Sequence, residues 1–349
     1  MEHLFTRNPT LKGMTYKSVG EYRTQLINEA AEFNIATGYI SSESLVELKR
    51  IVDIRNHEIS INLFVGMNYL EGFTKLQYNT LRDLSTFFKA ENAGQVLISP
   101  SALYHGKMYS FTDTEGQCLG AFVGSSNLSS FLGTSQNYIE SDVVFRGAEA
   151  EIIDRNLKNV IRSLGQDFYY MEPITNFLPA EKDLLKGLDY VKKLTPEEFH
   201  NALTTINGPV VEIPLKTEKK SNLNTYFGAG KIKGRYSPRS WYEVEIIISK
   251  TLENRDLLPE SGPFKVLTPE GYMFECERQG DYSKNFRSCH DLRILGKWIK
   301  GQMENDGVIQ CGQLVTQETL DAFGKSKLVL KKSSEDFWYI ELSNSSLIL

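Results

Sequence analysis

Cysteine is scarce in this chain of 349 residues. Cys118, Cys276, Cys289 and Cys311 are widely spaced and never form a C-x-x-C pair, which excludes a zinc ribbon and a disulfide framework and predicts buried, reduced thiols. The five histidines form no HExxH or His/Cys cluster, so no metal site built from local ligands is expected. Glu47-Leu48-Lys49 and Glu218-Lys219-Lys220 match E-x-K, but no Pro-Asp precedes either, and a metal-dependent nuclease core of that type is excluded. No run approaches the ~20 apolar residues of a membrane span. Met1-Glu2-His3-Leu4-Phe5 lacks a basic, then apolar leader, so the expectation is a cytoplasmic protein away from membranes. An overall excess of positive charge is also missing, with a net charge of −5. The distribution is uneven: residues 1–200 carry 19 basic and 25 acidic side chains, residues 201–349 carry 20 and 19, and 211–240 carry seven and two. Such a local basic patch suits an anionic partner.

What the chain does contain is concentrated between Tyr104 and Glu140. Apolar and polar residues alternate through Leu103-Tyr104-His105-Gly106-Lys107-Met108-Tyr109, predicting a strand with His105 and Lys107 on one face. Gly120-Ala121-Phe122-Val123 reads as a buried strand running out into a Gly124-Ser125-Ser126-Asn127 turn. Sites in open sheets favour such strand ends. A nucleophilic imidazole, a fixed cation, and hydroxyl and amide donors suit a phosphoryl group, whose transition state spreads charge over its equatorial oxygens. Glu140 is placed to orient the imidazole. Singly, a core histidine, a surface lysine and a GSSN turn are ordinary; their combination carries the functional reading.

His105, Lys107, Gly124, Ser125 and Asn127 together resemble the phospholipase D superfamily signature, with Asp113 one position later than its usual acidic residue. The resemblance covers about the first 170 residues. It implies an α/β domain whose catalytic strands are central, and hydrolysis through a phosphohistidine without a metal or other cofactor. One imidazole acts as nucleophile and a second as acid. The chain offers a single H-x-K, so a homodimer joined through the nuclease domain would supply both.

The rhythm of the first part supports such a domain. A helix is predicted over 19–33, a strand over 35–40, a helix over 43–56 and a strand over 59–66. A long helix over 73–93 and a short strand over 95–98 follow, then a closing helix over 148–164. Alternating βα units predict a mixed or mostly parallel sheet with helices on both faces. Residues 171–206 read as a helical linker: a charged helix over 180–194, then a second begun by the capping sequence Thr195-Pro196-Glu197-Glu198.

From 207 to 349 the texture changes to short strands, predicted at 210–215, 241–248, 264–267, 272–276 and 338–342, which suggests a small barrel. Two stretches combine basic, amide and hydroxyl groups with glycines. Lys216, Lys219, Lys231, Lys233, Arg235 and Arg239 belong to the first, and Lys284, Asn285 and Arg287 to the second, with Lys297 and Lys300 soon after. Lysines suit phosphates, and Arg and Asn pair with guanine and adenine edges. Joined to the upstream motif, this region resembles the mainly β, B3-like DNA-binding pseudobarrel of NgoFVII-family and BfiI-type restriction endonucleases. That resemblance implies a type II-like restriction endonuclease acting on specific sites in double-stranded DNA. It also implies a cognate DNA methyltransferase and admits a helicase-like ATPase subunit. Two alternatives stand beside it: a non-specific phospholipase D-type nuclease or phosphodiesterase, and a DNA-binding regulator with a decayed site.

Overall fold

The computed structural model describes residues 1–8, 16–134, 138–180, 182–228, 232 and 234–343. Contacts divide the chain into two units, Met1–Ala180 with Ala229–Arg239, and Glu181–Gly228 with Ser240–Leu349.

The first unit runs β1 (Glu2–Phe5), α1 (Val19–Glu29), β2 (Glu32–Thr37), α2 (Ser42–Ile54), β3 (Ser60–Val65), α3 (Asn68–Glu71), α4 (Lys75–Ala90) and β4 (Gly94–Ile98). It continues with β5 (Met108–Thr112), β6 (Cys118–Gly124), α5 (Leu128–Leu132), β7 (Ser141–Phe145), α6 (Gly147–Leu164) and β8 (Gln166–Asp167). Local chemistry starts the helices. Ser41 and Ser44 form a capping box on α2, and Thr74 and Gln77 one on α4, each satisfying amide donors that the first turn leaves without partners.

The strands form one sheet in the order β1-β7-β6-β5-β2-β3-β4-β8. It is mixed: β2, β3 and β4 run parallel, while every other adjacent pair is antiparallel. Alternation along β2 sorts the two faces. Phe33 and Ile35 pack with Leu26, Leu48, Leu81 and Phe131 from α1, α2, α4 and α5, whereas Ala36 joins Phe64, Leu157 and Ile161 under α6. The first helix is shorter than the expected 19–33, because Phe33 is drawn into the sheet core and β2 has begun by Glu32. The segment 229–239 contributes Tyr236 to this core.

The second unit contains β9 (Lys192–Lys193), α7 (Pro196–Thr204), β10 (Val210–Pro214), β11 (Ile246–Ile247), β12 (Phe264–Leu267), β13 (Tyr272–Gln279), β14 (Asn285–Ser288), α8 (Arg293–Asn305), α9 (Gln317–Phe323), β15 (Lys327–Ser334) and β16 (Phe337–Ser343). These strands build a B3-like, curled half-barrel sheet in the order β10-β15-β16-β12-β13-β14-β11, with β9 on β13. Trp241, Phe264, Phe274, Phe286, Trp298 and Trp338 are buried in it.

Three expectations change here. Residues 182–191 form turns rather than a linker helix: Leu185 is buried, Leu184 lies against Gly301, and the Tyr272 hydroxyl donates to Asp183, so long-range contacts override local charge pairing. The strand expected over 241–248 shrinks to Ile246–Ile247, because Trp241 sits in a turn with its indole donating to Glu304 Oε1 at 3.0 Å. Finally, 229–239 groups with the first unit although it lies within the expected 207–349 domain.

Candidate active site

Antiparallel pairing decides which strand ends meet. Met108 opposes both Ala36 of β2 and Val123 of β6, and Gly124 opposes Asp142 of β7. The end of β2, the start of β5, the end of β6 and the start of β7 therefore share one edge of the sheet. His105, Lys107, Ser125, Asn127 and Glu140 all belong to the short segments at this edge. Asp113 lies at the other end of β5, where its carboxylate accepts from the amides of Glu115 and Gln117, each at 2.9 Å, and closes the β5–β6 turn.

His105 and Lys107 precede β5 rather than lying within it, contrary to the expected strand over 103–109. Their segment crosses the ends of β2 and β3 in close contact. Tyr104 donates its amide to Gly66 O at 3.2 Å, and a methyl group at Gly66 would stand 2.1 Å from Tyr104 O. One at Gly38 would stand 2.7 Å from His105 Cδ2. A strand would lift the segment off these glycines.

The His105 side chain is exposed, meets the Tyr39 ring edge-on at 5.4 Å between centroids, and has no hydrogen-bond partner among the described residues. Lys107 is buried, and its Nζ donates to His105 O at 2.8 Å. Burial lowers the Lys107 pKa, and the Glu140 carboxylate acts in the opposite direction. Glu140 thus faces Lys107 electrostatically, and it also accepts from the Ser125 hydroxyl. The expected hydrogen bond from Glu140 to the imidazole is absent among the described residues. Thr6 holds the Glu140 backbone, donating its own amide to Glu140 O at 3.1 Å and accepting from Glu140 N at 2.9 Å.

Asn127 is the residue just before α5. The Tyr39 amide can only donate, so the atom it meets at 3.2 Å is the Asn127 side-chain oxygen. The Thr37 hydroxyl lies 3.5 Å from the same oxygen. That commitment leaves the two Nδ2 hydrogens without partners among the described residues. Beneath the turn, Ser126 directs its amide and hydroxyl to the buried Asp142, whose pKa is raised by burial against those hydrogen bonds. The Tyr109 hydroxyl donates to Ser126 O at 2.6 Å, and the Tyr109 ring stacks on Phe131 at 3.7 Å. The sequence motif did not reveal Tyr39, Thr37 or Asp142; the only signal was their position at strand ends.

In the second unit the basic stretches divide. Lys219 is exposed and Lys216 half-buried in the segment after β10. Asn222 and Asn224 are buried instead, accepting from the amides of Ile247 and Val315. Lys284 and Asn285 are half-buried at the start of β14. Arg287 is bound to Glu277 and Glu245, each at 3.3 Å, and to Gln279. Lys300 is fully buried, donating to Trp241 O at 2.6 Å, so it leaves the expected surface patch. Arg235 is exposed and Arg239 half-buried in the segment that groups with the first unit. Lys231 and Lys233 lie outside the described residues.

Among the described residues no helix is long and apolar enough to cross a membrane. The two sheets and this edge define a class, a phospholipase D-like nuclease domain followed by a B3-like DNA-binding domain. A model of the NgoFVII restriction endonuclease N-terminal PLD domain matches residues 20–171, and one of the NgoFVII C-terminal B3-like DNA-binding domain matches residues 202–334. The chain belongs to the NgoFVII restriction endonuclease family. Solved structures with similarity include TrmBL2, an archaeal chromatin protein (11% identity, TM-score 0.28), phosphatidylserine synthase from Haemophilus influenzae Rd KW20 (14%, 0.36) and the phospholipase D family member Nuc from Salmonella typhimurium (11%, 0.31). They cover 42%, 48% and 48% of this chain and are themselves covered over 49%, 39% and 96%. The chain thus spans about half the length of the first and two fifths of the second. No curated protein matches the chain.

Proposed function

We propose that this family member is a type II-like restriction endonuclease that hydrolyses DNA phosphodiesters at specific sites without a metal, using a dimeric active site. The observation that carries the reading is the gathering of His105, Lys107, Ser125, Asn127 and Glu140 at one sheet edge, with the imidazole exposed and unbonded among the described residues.

In this reading a His105 nitrogen attacks phosphorus, forming a P–N bond as the P–O bond to the leaving oxygen breaks. His105 of a second copy, entering as imidazolium, gives its proton to that oxygen. Now neutral, it takes a proton from water, whose oxygen attacks phosphorus and releases the first imidazole. Lys107 and the Nδ2 hydrogens of Asn127 stabilise the phosphoryl oxygens, and Glu140 positions Ser125 and Lys107. The DNA surface is proposed to use Lys216, Lys219, Lys231, Lys233, Arg235, Arg239, Lys284, Asn285 and Arg287, with Arg287 exchanging its carboxylate partners for a base or phosphate. A cognate methyltransferase protecting host sites and a cytoplasmic location follow from the same reading.

The test is incubation of the purified full chain with plasmid and genomic DNA in excess EDTA, with and without Mg²⁺ and ATP, followed by sequencing of the ends. Discrete ends in EDTA alone are expected. Cleavage that needs Mg²⁺ would refute the histidine route, random ends would favour a non-specific nuclease, and a requirement for ATP would bring in the helicase-like subunit.

A further inference from the structure

In the second unit, a carboxylate, a thiol and an imidazole gather on the outward face of β13 and at the end of β14. Residues 275, 277 and 279 alternate outward along β13, while Phe274, Cys276 and Arg278 turn inward. Cys289 follows β14 and donates its amide to Glu275 O at 2.9 Å, so the two residues face each other across the strands. His290 comes next in the chain, and its Nε2 lies 2.9 Å from Glu275 Oε2. Tyr190 stacks on the His290 ring at 4.7 Å. A cleft of ≈ 330 Å³ opens beside them, lined by Tyr190, Met273, Glu275 and His290.

We propose that Glu275, Cys289 and His290 bind a borderline-soft divalent transition-metal ion, zinc being the best fit to the donors. A thiol, an imidazole and a carboxylate are the three ligand types that zinc accepts, and three protein ligands leave a fourth position for water. Their donor atoms all lie within 4.8 Å of one another. Tetrahedral bonds of about 2.0–2.3 Å separate ligands by roughly 3.5 Å, so the donors need approach one another by little more than about 1 Å. Glu277 stands within hydrogen-bonding reach of the Cys289 thiol and offers an outer-shell partner. Thiolate and carboxylate together neutralise the dication. Hard cations such as Mg²⁺ prefer all-oxygen sets and are disfavoured here. A bound ion would tie β13 to the segment that begins α8 at Arg293. Local spacing in the sequence does not show this set, because its carboxylate comes from a neighbouring strand. The inference is independent of the proposed cleavage mechanism.

The test uses the metal-free full chain. Zinc is titrated against a chromogenic chelator, and Co²⁺ is added in parallel to look for thiolate-to-cobalt charge-transfer absorption. One zinc per chain is expected, with the cobalt band present. Cys289→Ser should abolish the band, and Cys289→Ser and His290→Ala should each weaken zinc binding at least about tenfold. The exposed His200→Ala should leave binding unchanged, and circular dichroism checks that each variant is folded. Absence of stoichiometric binding, or a band surviving in Cys289→Ser, would overturn the site.

Discussion

Tyr236 is 1% exposed, and its hydroxyl donates to Glu47 Oε1 at 2.7 Å inside the first unit. Glu47 is itself 1% exposed and also meets Arg50 Nη1 at 3.0 Å. Burial pushes its carboxyl up to about 7, against the pull of Arg50, the Tyr236 hydroxyl, the Arg239 amide and Arg23. Between pH ~4.5 and ~7 the native chain therefore holds a proton that the unfolded chain has lost. The stability from this group is complete below that window and drains away as pH rises through it. Tyr236→Phe removes a donor from the ionised form and pushes the carboxyl higher still. The loss should be about 1.5–3 kcal/mol at pH 8, where the acceptor is charged, and about 0.5–1.5 kcal/mol at pH 5. At a typical urea dependence, a loss of ~2 kcal/mol lowers the midpoint by about 1 M. The chain carries its own probes for the two units. Cys118 lies in the first unit, whereas Trp241, Trp298 and Trp338 all lie in the second. Alkylation of Cys118 across a urea series should show the shift, with tryptophan fluorescence unmoved. An equal loss at both pH values would refute the charge argument. A shift in tryptophan fluorescence instead would refute the placement of 229–239.

His105→Ala should abolish cleavage while leaving DNA binding in a gel-shift assay; residual cleavage would remove His105 as nucleophile. Lys107→Ala and Asn127→Ala should each lower the single-turnover rate by about 10²–10³. Glu140→Gln takes the charged acceptor from Ser125 and the opposing charge from Lys107, so cleavage should fall, and an unchanged rate would exclude Glu140 from the site. In the second unit, Lys219→Ala should weaken binding to all duplexes alike, whereas Arg287→Ala should cost ~1–3 kcal/mol on the cognate site and relax one position, as read by competition binding.

The helices and strands of the first unit were largely legible because apolar periodicity and caps act locally, as at Thr74 and Gln77. That His105, Lys107, Ser125 and Asn127 fall in segments at one end of the sheet is legible, since the motif flanks the start of β5 and the end of β6, which pair antiparallel. Their roles in the architecture are not. The alternation around His105 mimics a strand, but contact with Gly38 and Gly66 decides the path. Lys300 reads as surface charge and becomes a core donor because Trp241 O lies within its reach. The charged run over 182–191 has helical composition, yet Asp183 and Leu184 are captured by Tyr272 and Gly301 and Leu185 is buried. Strand β14 is hard to see in sequence because polar residues alternate with buried ones on a half-exposed sheet, which looks like a loop when read alone, and β15 because its buried Leu328-Val329-Leu330 run is short and leads into Lys331-Lys332-Ser333.

If His105 acts as proposed, the crossing of its segment over Gly38 and Gly66 means that an intact signature is not sufficient for activity. On the proposed mechanism, a relative that keeps every motif residue would lose rate if an alanine replaced either glycine, because the methyl at Gly38 meets the His105 ring and the one at Gly66 meets Tyr104 O in the segment that carries it. Surveys that infer activity from H-x-K and GSxN alone would count such a chain as a nuclease. On that reading, the two positions at the ends of β2 and β3 belong with the motif when activity is inferred from sequence.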